Sequence, residues 1–261
     1  MNYKRGSIGL FFRGDPTLKL WLPFEENSGN YALDLSGGGH NGTLSGSPLR
    51  TSGKVGNGLY FSGPNTKVLV TNEIVDGKGD FTYSVWFRTN YSSADYLDQV
   101  ILRRDSYNET LPRGLLQIAF NIDANHLGLV QCGIYQDASH NMGMYSTKKY
   151  NDNLWHWVTF TRGGNTLYFY VDSILQGTTG INYTLDGNTF YNAVGEYVYS
   201  NVSGNGNFQG YIDEPAIFSR ALSPSEISQY YQWAISQPRK TYYEVGGLLV
   251  PNTRRRLLLT R

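Results

Sequence analysis

Hydrophobic and polar residues alternate along several short stretches of the chain. The clearest stretch puts these apolar side chains on one face: Phe81, Tyr83, Val85 and Phe87. Its other face carries Thr82, Ser84, Trp86 and Arg88. An earlier stretch repeats the pattern, and its shared face holds Leu18, Leu20, Leu22 and Phe24. A period of two residues is typical of half-buried β-strands, so both stretches are predicted to be strands.

Further stretches of the same kind follow along the chain. The predicted strands are 115–122, 127–134, 155–162, 166–171, 191–198 and 208–218. Glycine clusters separate several of them, and Gly163-Gly164-Asn165 joins two of the strongest, as expected of a hairpin. The pattern predicts an all-β chain with antiparallel strands.

One short helix is predicted near the end of this region. Ser223 supplies an N-cap hydroxyl, Pro224 suits the first helical position, and Glu226 completes a capping box. The apolar residues that then recur at helical spacing are Ile227, Tyr230, Tyr231 and Ala234. We therefore expect three parts, which are an N-terminal arm at 1–17, a β-sandwich at 18–234 and an extended tail at 235–261.

Composition narrows the range of functions. Charged residues make up 16% of the chain and the net charge is +1, which gives no global attraction to nucleic acid or to an acidic membrane. No apolar stretch reaches the ~18 residues of a membrane span. The first residues lack the apolar core of a cleavable signal peptide. The lone Cys132 can form no internal disulfide and is expected to be a buried, inert thiol.

Two groups of motifs carry a family resemblance. The first comprises an opening strand at 20–26, a glycine-rich loop at 34–44 and a return strand at 56–61. The second comprises Gly210-Tyr211-Ile212-Asp213-Glu214 and the capped helical turn after it. In this order they resemble the laminin-G-like jelly-roll family of the concanavalin A-like lectin and glucanase superfamily. The resemblance implies a two-sheet jelly-roll sandwich over 18–234, with carbohydrate binding as its commonest role.

Calcium is the most specific cofactor prediction. The ion takes ~6–8 oxygen ligands, and a glycine-rich loop beginning at Asp34 can turn several carbonyls towards one point. In the family resembled, this loop lies near the acidic pair of the closing strand. Since neighbours in a strand point to opposite faces, Asp213 is expected to join the site and Glu214 to turn away. The predicted ligands are Asp34, Gly37, Asn41 and Asp213; alternatively, the two aspartates only bond to nearby backbone amides.

The sequence argues against catalysis. Glucanases of the superfamily carry alternating carboxylates, Glu-x-Asp-x-Glu, on one strand, and no such string occurs here. His156 lies between two tryptophans and is interpreted as a hydrogen-bonded sheet histidine rather than as a base. The other histidines, His40, His126 and His140, lack the spacing of metal ligands. An enzyme with an unrecognised site is the weakest of three hypotheses.

Carbohydrate binding needs aromatic platforms with polar rims, and the chain has 21 tyrosines. Many of them must pack the sheets instead. The candidate ligand-binding residues are Tyr91, Tyr96, Tyr107, Tyr135, Tyr197 and Tyr199.

The C-terminal tail suggests a structural role. It combines an extended apolar segment with a basic triplet, and its candidate assembly contacts are Tyr242, Tyr243, Leu248, Leu249, Arg254, Arg255 and Arg256. Such a segment can add a strand to a neighbouring subunit. The leading hypothesis is a non-enzymatic subunit or surface decoration of a larger assembly, such as a phage virion, with both termini contacting other subunits and with loops that bind glycans. A free-standing, calcium-dependent lectin is the alternative, as is the folding of both arms back onto their own sandwich.

Overall fold

The computed structural model describes residues 7–63, 65–71, 74–75, 77–93, 99–106, 115–120, 123–185, 190–196, 207–236, 242–245 and 248–251. In chain order its elements are α1 (Ile8–Phe11), β1 (Leu18–Trp21), β2 (Tyr31–Ala32), β3 (Gly42–Ser45), β4 (Leu49–Ser52), β5 (Asn57–Ser62), β6 (Lys67–Val70), β7 (Phe81–Arg88), β8 (Gln99–Ser106), β9 (Leu115–Phe120), β10 (Val130–Asp137), β11 (His140–Tyr145), β12 (His156–Gly163), β13 (Thr166–Val171), β14 (Ile174–Gly180), β15 (Phe190–Val194), β16 (Gln209–Phe218), α2 (Pro224–Ser236), β17 (Tyr242–Val245) and β18 (Leu248–Pro251).

Two antiparallel sheets form the sandwich. Sheet A has the order β14-β13-β12-β7-β16-β5-β4, and β1 also pairs with β16. Sheet B has the order β11-β10-β9-β8-β15-β6-β3-β2. The all-β jelly-roll prediction is confirmed. Within the part of the chain that the structure describes, no helix has the length and apolar character needed to cross a membrane.

The main core lies between the sheets. Sheet A contributes the inward side chains of β7, which are fully buried as alternation predicts: Phe81, Tyr83, Val85 and Phe87. Sheet B contributes Ile118, Val130 and Cys132, among others. Burial raises the pKa of the Cys132 thiol well above its ordinary value, as expected of an inert thiol.

The alternation prediction is wrong at one position of β1. The register shifts between Leu18 and Leu20, which marks a β-bulge or local irregularity. Leu20 enters the main core, whereas Leu18 joins Trp21 on the outer side of sheet A. An extra residue in one strand reverses the face of every side chain beyond it, and local alternation cannot reveal that reversal.

A second hydrophobic cluster covers much of the outer face of sheet A. We call it the outer cluster, and its members include Ile8, Phe12, Trp21, Trp86, Trp155, Trp157, Tyr170, Phe218, Ile227 and Tyr230. Helix α2 lies over the sheet, and its predicted capping box is confirmed. The Glu226 amide donates to Ser223 Oγ at 3.3 Å, and the Ser223 amide donates to Glu226 Oε2 at 2.8 Å.

The segment 7–17 also belongs to this outer layer. Ser7 and Ile8 are buried, and the Phe12 ring packs edge-on against Phe218 with a centroid distance of 5.0 Å. The segment therefore folds back onto its own sandwich, the alternative considered above, and is not a free arm. The reason is the apolar face of sheet A, which these side chains cover.

The tail residues behave differently. The strands β17 and β18 contain Tyr242, Tyr243, Leu248 and Leu249, and they pair with each other as a two-stranded sheet. The extended conformation predicted for this segment is therefore found, with its partner strand in the same chain. Arg254, Arg255 and Arg256 lie outside the described residues.

Candidate functional site

One row of side chains on the outer face of sheet A is not covered by α2. Adjacent strands place Arg88 of β7 opposite Tyr211 of β16, Tyr211 opposite Tyr60 of β5, and Tyr60 opposite Leu49 of β4. Trp155 comes just before β12 and packs against Tyr211. We call these five residues the arginine–aromatic row. Leu49 is 59% exposed, and Arg88, Tyr211 and Tyr60 are half-buried.

The row is held together by stacking. The Arg88 guanidinium carbon lies 3.9 Å from the centroid of the Tyr211 ring and 5.7 Å from that of Trp155. The Tyr60 and Tyr211 rings are 4.9 Å apart, with 50° between their planes. A cation over an aromatic face is attracted by the ring quadrupole, by about 0.5–2 kcal/mol. The stacking therefore holds the guanidinium group in place, with no acidic partner among the residues that the structure describes.

Two other arginines of the sandwich are paired with acidic side chains. Arg103 pairs with Asp105, and Arg220 pairs with both Asp15 and Glu226. Arg88 forms no hydrogen bond or ion pair with any residue that the structure describes, and its buried Nε has no acceptor there. Since Arg88 is half-buried overall, its terminal nitrogens reach solvent. Among the described residues, the row thus presents a positive charge without an acidic partner beside half-buried aromatic rings.

A second cation lies on the same face. Lys54 Nζ is 4.7 Å from the centroid of Trp86, which precedes Arg88 by two residues and so shares its side of β7. Tyr231 of α2 stacks on Trp86 at 5.9 Å and 18°. The positive character of this surface therefore extends from the row to the edge of helix α2.

His156 of β12, which pairs with Phe87, lies between two carboxylates. Its Nδ1 is 2.7 Å from Asp172 Oδ2, and its Nε2 is 2.9 Å from Asp152 Oδ1. Burial lowers the pKa of His156, but the hydrogen bonds and charges of Asp172 and Asp152 outweigh it, so the pKa lies above its ordinary value. Both ring nitrogens are engaged, which confirms the interpretation of a hydrogen-bonded sheet histidine.

The acidic pair of β16 departs from the sequence prediction. The register shifts between Asp213 and Ala216, and Glu214 has a φ of 53°. Both carboxyl groups are consequently buried towards the outer cluster, and the charge of each adds to the effect of burial in raising the pKa of Tyr230. The expectation that Glu214 turns away is wrong, because a bulge interrupts the strand alternation.

Glu214 anchors the N-terminal segment. Its Oε2 accepts hydrogen bonds from Ser7 Oγ at 3.0 Å, from the Ile8 amide at 2.8 Å and from Trp21 Nε1 at 2.9 Å. Burial nevertheless raises the pKa of Glu214 to about 7, although these three donors lower it. Burial and the charge of Glu214 raise the pKa of Asp213 well above its ordinary range. These carboxyl groups are sealed from solvent and cannot reach a substrate.

Two residues predicted to bind calcium, Asp34 and Asn41, accept hydrogen bonds from backbone amides. Asp34 Oδ1 accepts from the Trp21 and Ser36 amides, and its Oδ2 accepts from the His40 amide. Asn41 Oδ1 accepts from the Asp34 amide. The exposed Gly37 has a positive φ of 97°, as a tight turn requires.

Asp213 contributes to a different contact. Its Oδ2 accepts a hydrogen bond from the Val55 amide at 2.9 Å. Trp21 donates its backbone amide to Asp34 and its indole Nε1 to Glu214, so Glu214, and not Asp213, is linked to Asp34 through Trp21. No group of three or more histidine, cysteine, aspartate or glutamate side chains suited to a metal ion occurs among the described residues. This geometry fits the turn-capping alternative, and calcium binding stays a prediction.

The predicted ligand-binding tyrosines are not brought together. Tyr91 follows β7 of sheet A, whereas Tyr135 lies in β10 of sheet B. Tyr96, Tyr107, Tyr197 and Tyr199 fall outside the described residues. Sequence reasoning missed the row itself. The signal was the outward face of β7, where Trp86 and Arg88 interrupt a polar series.

Comparison with known proteins identifies the family. The family model Laminin_G_3, described as concanavalin A-like lectin/glucanases superfamily, matches residues 61–228, which is more than half of the chain. The chain therefore belongs to this family. No curated protein has a sequence detectably similar to it.

Three solved structures illustrate the likeness in fold. The binding domain of Paraclostridial Mosquitocidal Protein 1 superposes with a TM-score of 0.64 at 16% identity, over 82% of this chain and 52% of that one. The binding domain of botulinum neurotoxin serotype D gives 0.63 at 17% identity, over 88% and 55%. This chain thus spans about half the length of these toxin binding domains.

Domain 4 of the arabinanase AbnA from Geobacillus stearothermophilus is matched almost completely. Its structure, determined in complex with arabinotriose, gives a TM-score of 0.64 at 16% identity, over 83% of this chain and 98% of that domain. At such low identity, these likenesses show a shared fold.

Proposed function

We propose that this chain is a non-catalytic, lectin-type module that binds carbohydrate through the arginine–aromatic row. The observation that carries the proposal is the row itself. In it, Tyr60 and Tyr211 lie side by side on paired strands of the sheet, and the Arg88 guanidinium group lies over the Tyr211 ring. Aromatic faces pack against the apolar face of a sugar ring, and nearby donors bond to its oxygens. The position of the row on paired strands fixes its geometry better than a loop would.

Two further observations support binding rather than catalysis. The adjacent carboxyl groups Asp213 and Glu214 are fully buried, and His156 has a carboxylate on each ring nitrogen. Neither group is placed to exchange a proton with a bound sugar. The almost complete match to an arabinanase domain solved with arabinotriose supports the sugar-binding proposal, since that domain and this chain share a fold over most of their lengths.

The experiment is a glycan array probed with the full chain, followed by calorimetry on the strongest neutral or acidic hits. Tyr211→Ala removes the central ring and is expected to weaken binding by about tenfold or more, ~1.4 kcal/mol or above. Tyr31→Ala is the matched control, because Tyr31 is 61% exposed and lies in sheet B. Binding unaffected by Tyr211→Ala would contradict the proposed surface, and an array without hits would contradict the function. The same titration in excess chelator tests the calcium prediction.

The assembly hypothesis stays a prediction. It places the chain in a virion or another extracellular assembly, with other protein subunits bound to its termini. The packing of residues 7–17 on their own sandwich does not favour a contact of this N-terminal segment with another subunit. Light scattering on the full chain tests the remainder, since a monodisperse monomer would argue against self-assembly through β17 and β18.

A further inference from the structure

We infer that the arginine–aromatic row selects acidic sugars, with Arg88 binding a carboxylate or sulfate on the ring that stacks beside it. This inference rests on the proposed carbohydrate-binding function and specifies the ligand class of the same surface. Among the described residues, Arg88 has no acidic side chain beside it to balance its charge. Other arginines of the sandwich bond to oxygen acceptors: Arg103 pairs with Asp105, Arg220 pairs with Asp15 and Glu226, and Arg162 donates to the Gly164 and Gly77 carbonyls. Arg88 has aromatic faces in place of an acid.

The stacking on Tyr211 leaves the N–H edge of the Arg88 guanidinium group available to a ligand. Contact at 3.9 Å with Tyr211 occupies one face of the planar guanidinium group. The edge of that group carries its N–H donors, and two parallel donors match the two oxygens of a carboxylate or sulfate. Stacking fixes the plane before the ligand arrives, so less side-chain freedom is lost on binding. The site is therefore organised in advance for a planar or tetrahedral anion.

The surroundings favour an anion that is attached to a sugar. Tyr60 lies 4.9 Å from Tyr211, on the side away from β7, and Leu49 continues the exposed apolar strip. Arg88 lies two strands from Tyr60, about 10 Å at the ~4.8 Å spacing of neighbouring strands, so a sugar over Tyr60 would reach Arg88 through an extended substituent or a second ring. A free phosphate or acetate ion would leave these apolar contacts unused.

The positive charge is a property of the surface around Arg88 and not of the chain as a whole. The whole chain carries a net charge of +1, which is too small to attract anions in general. Arg88 and Lys54 nevertheless share one face of sheet A, and both sit over tryptophan rings, Trp155 and Trp86. The Arg88 charge beside the half-buried Tyr211 and Tyr60 rings provides a local attraction that would be weakened by salt.

The test compares sugars that differ only in charge. Trigalacturonate and its methyl ester have the same ring size and linkage, and sulfated and unsulfated galactose oligosaccharides form a second pair. We expect calorimetry to show at least about tenfold tighter binding, ~1.4 kcal/mol, of the charged member of one pair. The pair that shows the preference distinguishes carboxylate from sulfate recognition. The preference should diminish as ionic strength rises.

Arg88→Gln should abolish that preference, because it should weaken binding of the charged sugar by about tenfold more than binding of the neutral one. Arg88→Lys keeps the charge without the paired donors, so it should restore part of the preference. The matched control is Arg13→Gln, which removes an exposed arginine that lies before β1. Thermal unfolding verifies that each variant is folded.

Two results would overturn the inference. If Arg88→Gln weakens the charged and neutral sugars equally, Arg88 only supports the aromatic rings. If wild-type protein binds each pair without preference, the row binds neutral sugars and the proposed function survives alone. An array on which neither neutral nor acidic glycans bind would instead contradict the proposed function itself, which makes the two failures distinguishable.

Discussion

The outer face of sheet A has two parts that are built from similar residues and treated differently by the fold. Under α2 and the segment 7–17, the tryptophans Trp21, Trp86 and Trp157 are buried in the outer cluster. At the uncovered end, Tyr60 and Tyr211 remain half-exposed. The same strands β7 and β16 supply both parts. An aromatic residue on this face is therefore structural or available for binding according to what covers it, and not according to its position in the strand pattern.

Specific hydrogen bonds hold the cover, which consists of α2 and the segment 7–17, on sheet A. Glu214 holds Ser7 and Ile8, and Tyr230 of α2 accepts a hydrogen bond from Trp86 Nε1 at 2.9 Å. The uncovered end has no such fastening, and its cation Arg88 is left unpaired among the residues described. Variants in the two parts should accordingly separate stability from binding.

The largest effect is expected under the cover. Trp157 is fully buried and packs edge-on against Tyr230 at 4.6 Å. Trp157→Ala should lower the free energy of unfolding by about 3–5 kcal/mol, because it leaves a cavity beneath α2. Urea denaturation measures the change. A loss below about 1 kcal/mol would show that the cover contributes little to the fold.

The next effect concerns Glu214 and pH. Since burial raises the pKa of its carboxyl group to about 7, the folded state binds more protons than the unfolded chain between the ordinary carboxyl pKa and that value. Stability should therefore be greatest at low pH within this window and fall by about 2–3 kcal/mol as the pH rises through 7. Denaturation at a series of pH values measures the slope.

Glu214→Gln removes the charge but keeps an acceptor for Trp21, so it should flatten this profile. His156, whose pKa is also raised, loses stabilisation in the same direction as the pH rises. The difference between wild type and Glu214→Gln measures the contribution of the interacting Glu214 and Asp213 carboxyl groups, because His156 is present in both. Identical slopes in the two proteins would contradict the role given to Glu214.

Smaller stability effects are expected in the row. Tyr60→Ala should cost no more than about 1 kcal/mol of unfolding free energy, since the ring is half-exposed, yet it should weaken glycan binding by about tenfold. Calorimetry and urea denaturation on the same sample measure both quantities. A large stability loss with unchanged binding would assign Tyr60 to the core instead.

The smallest effect is expected at the end of the row. Leu49 is 59% exposed, so Leu49→Ser should change stability by less than about 0.5 kcal/mol. Its glycan affinity should fall only a few-fold, because Leu49 extends the platform without stacking. An effect equal to that of Tyr60→Ala would move the centre of the binding surface towards β4.

Local patterns predicted the parts of the fold that depend on neighbours in sequence. Alternation identified the inward face of β7, and the capping box at Ser223 and Glu226 located α2. Alternation was less informative for strands such as β14, whose largely exposed, glycine-containing sequence lacks an alternating apolar face. Such strands are defined by their partners and not by their own composition.

The candidate site depended on long-range pairing, which local patterns do not encode. The row joins Leu49, Tyr60, Arg88 and Tyr211 through the registers of four strands. The burial of both Asp213 and Glu214 depends on a bulge whose partners are as distant as Ser7 and Trp21. Sequence reasoning chose loop tyrosines because exposure could not be read from alternation alone.

The most direct test of the central claim is a nuclear magnetic resonance titration with the strongest glycan from the array. The protein has 5 tryptophans, whose indole N–H signals report on both parts of the face. We expect the signals of Trp155 and of the Arg88 side chain to shift on saturation, while those of Trp21 and Trp157 beneath the cover stay in place. Unchanged Trp155 and Arg88 signals, with shifts at the side-chain amides of Gln117 and Gln131 in sheet B instead, would contradict the account.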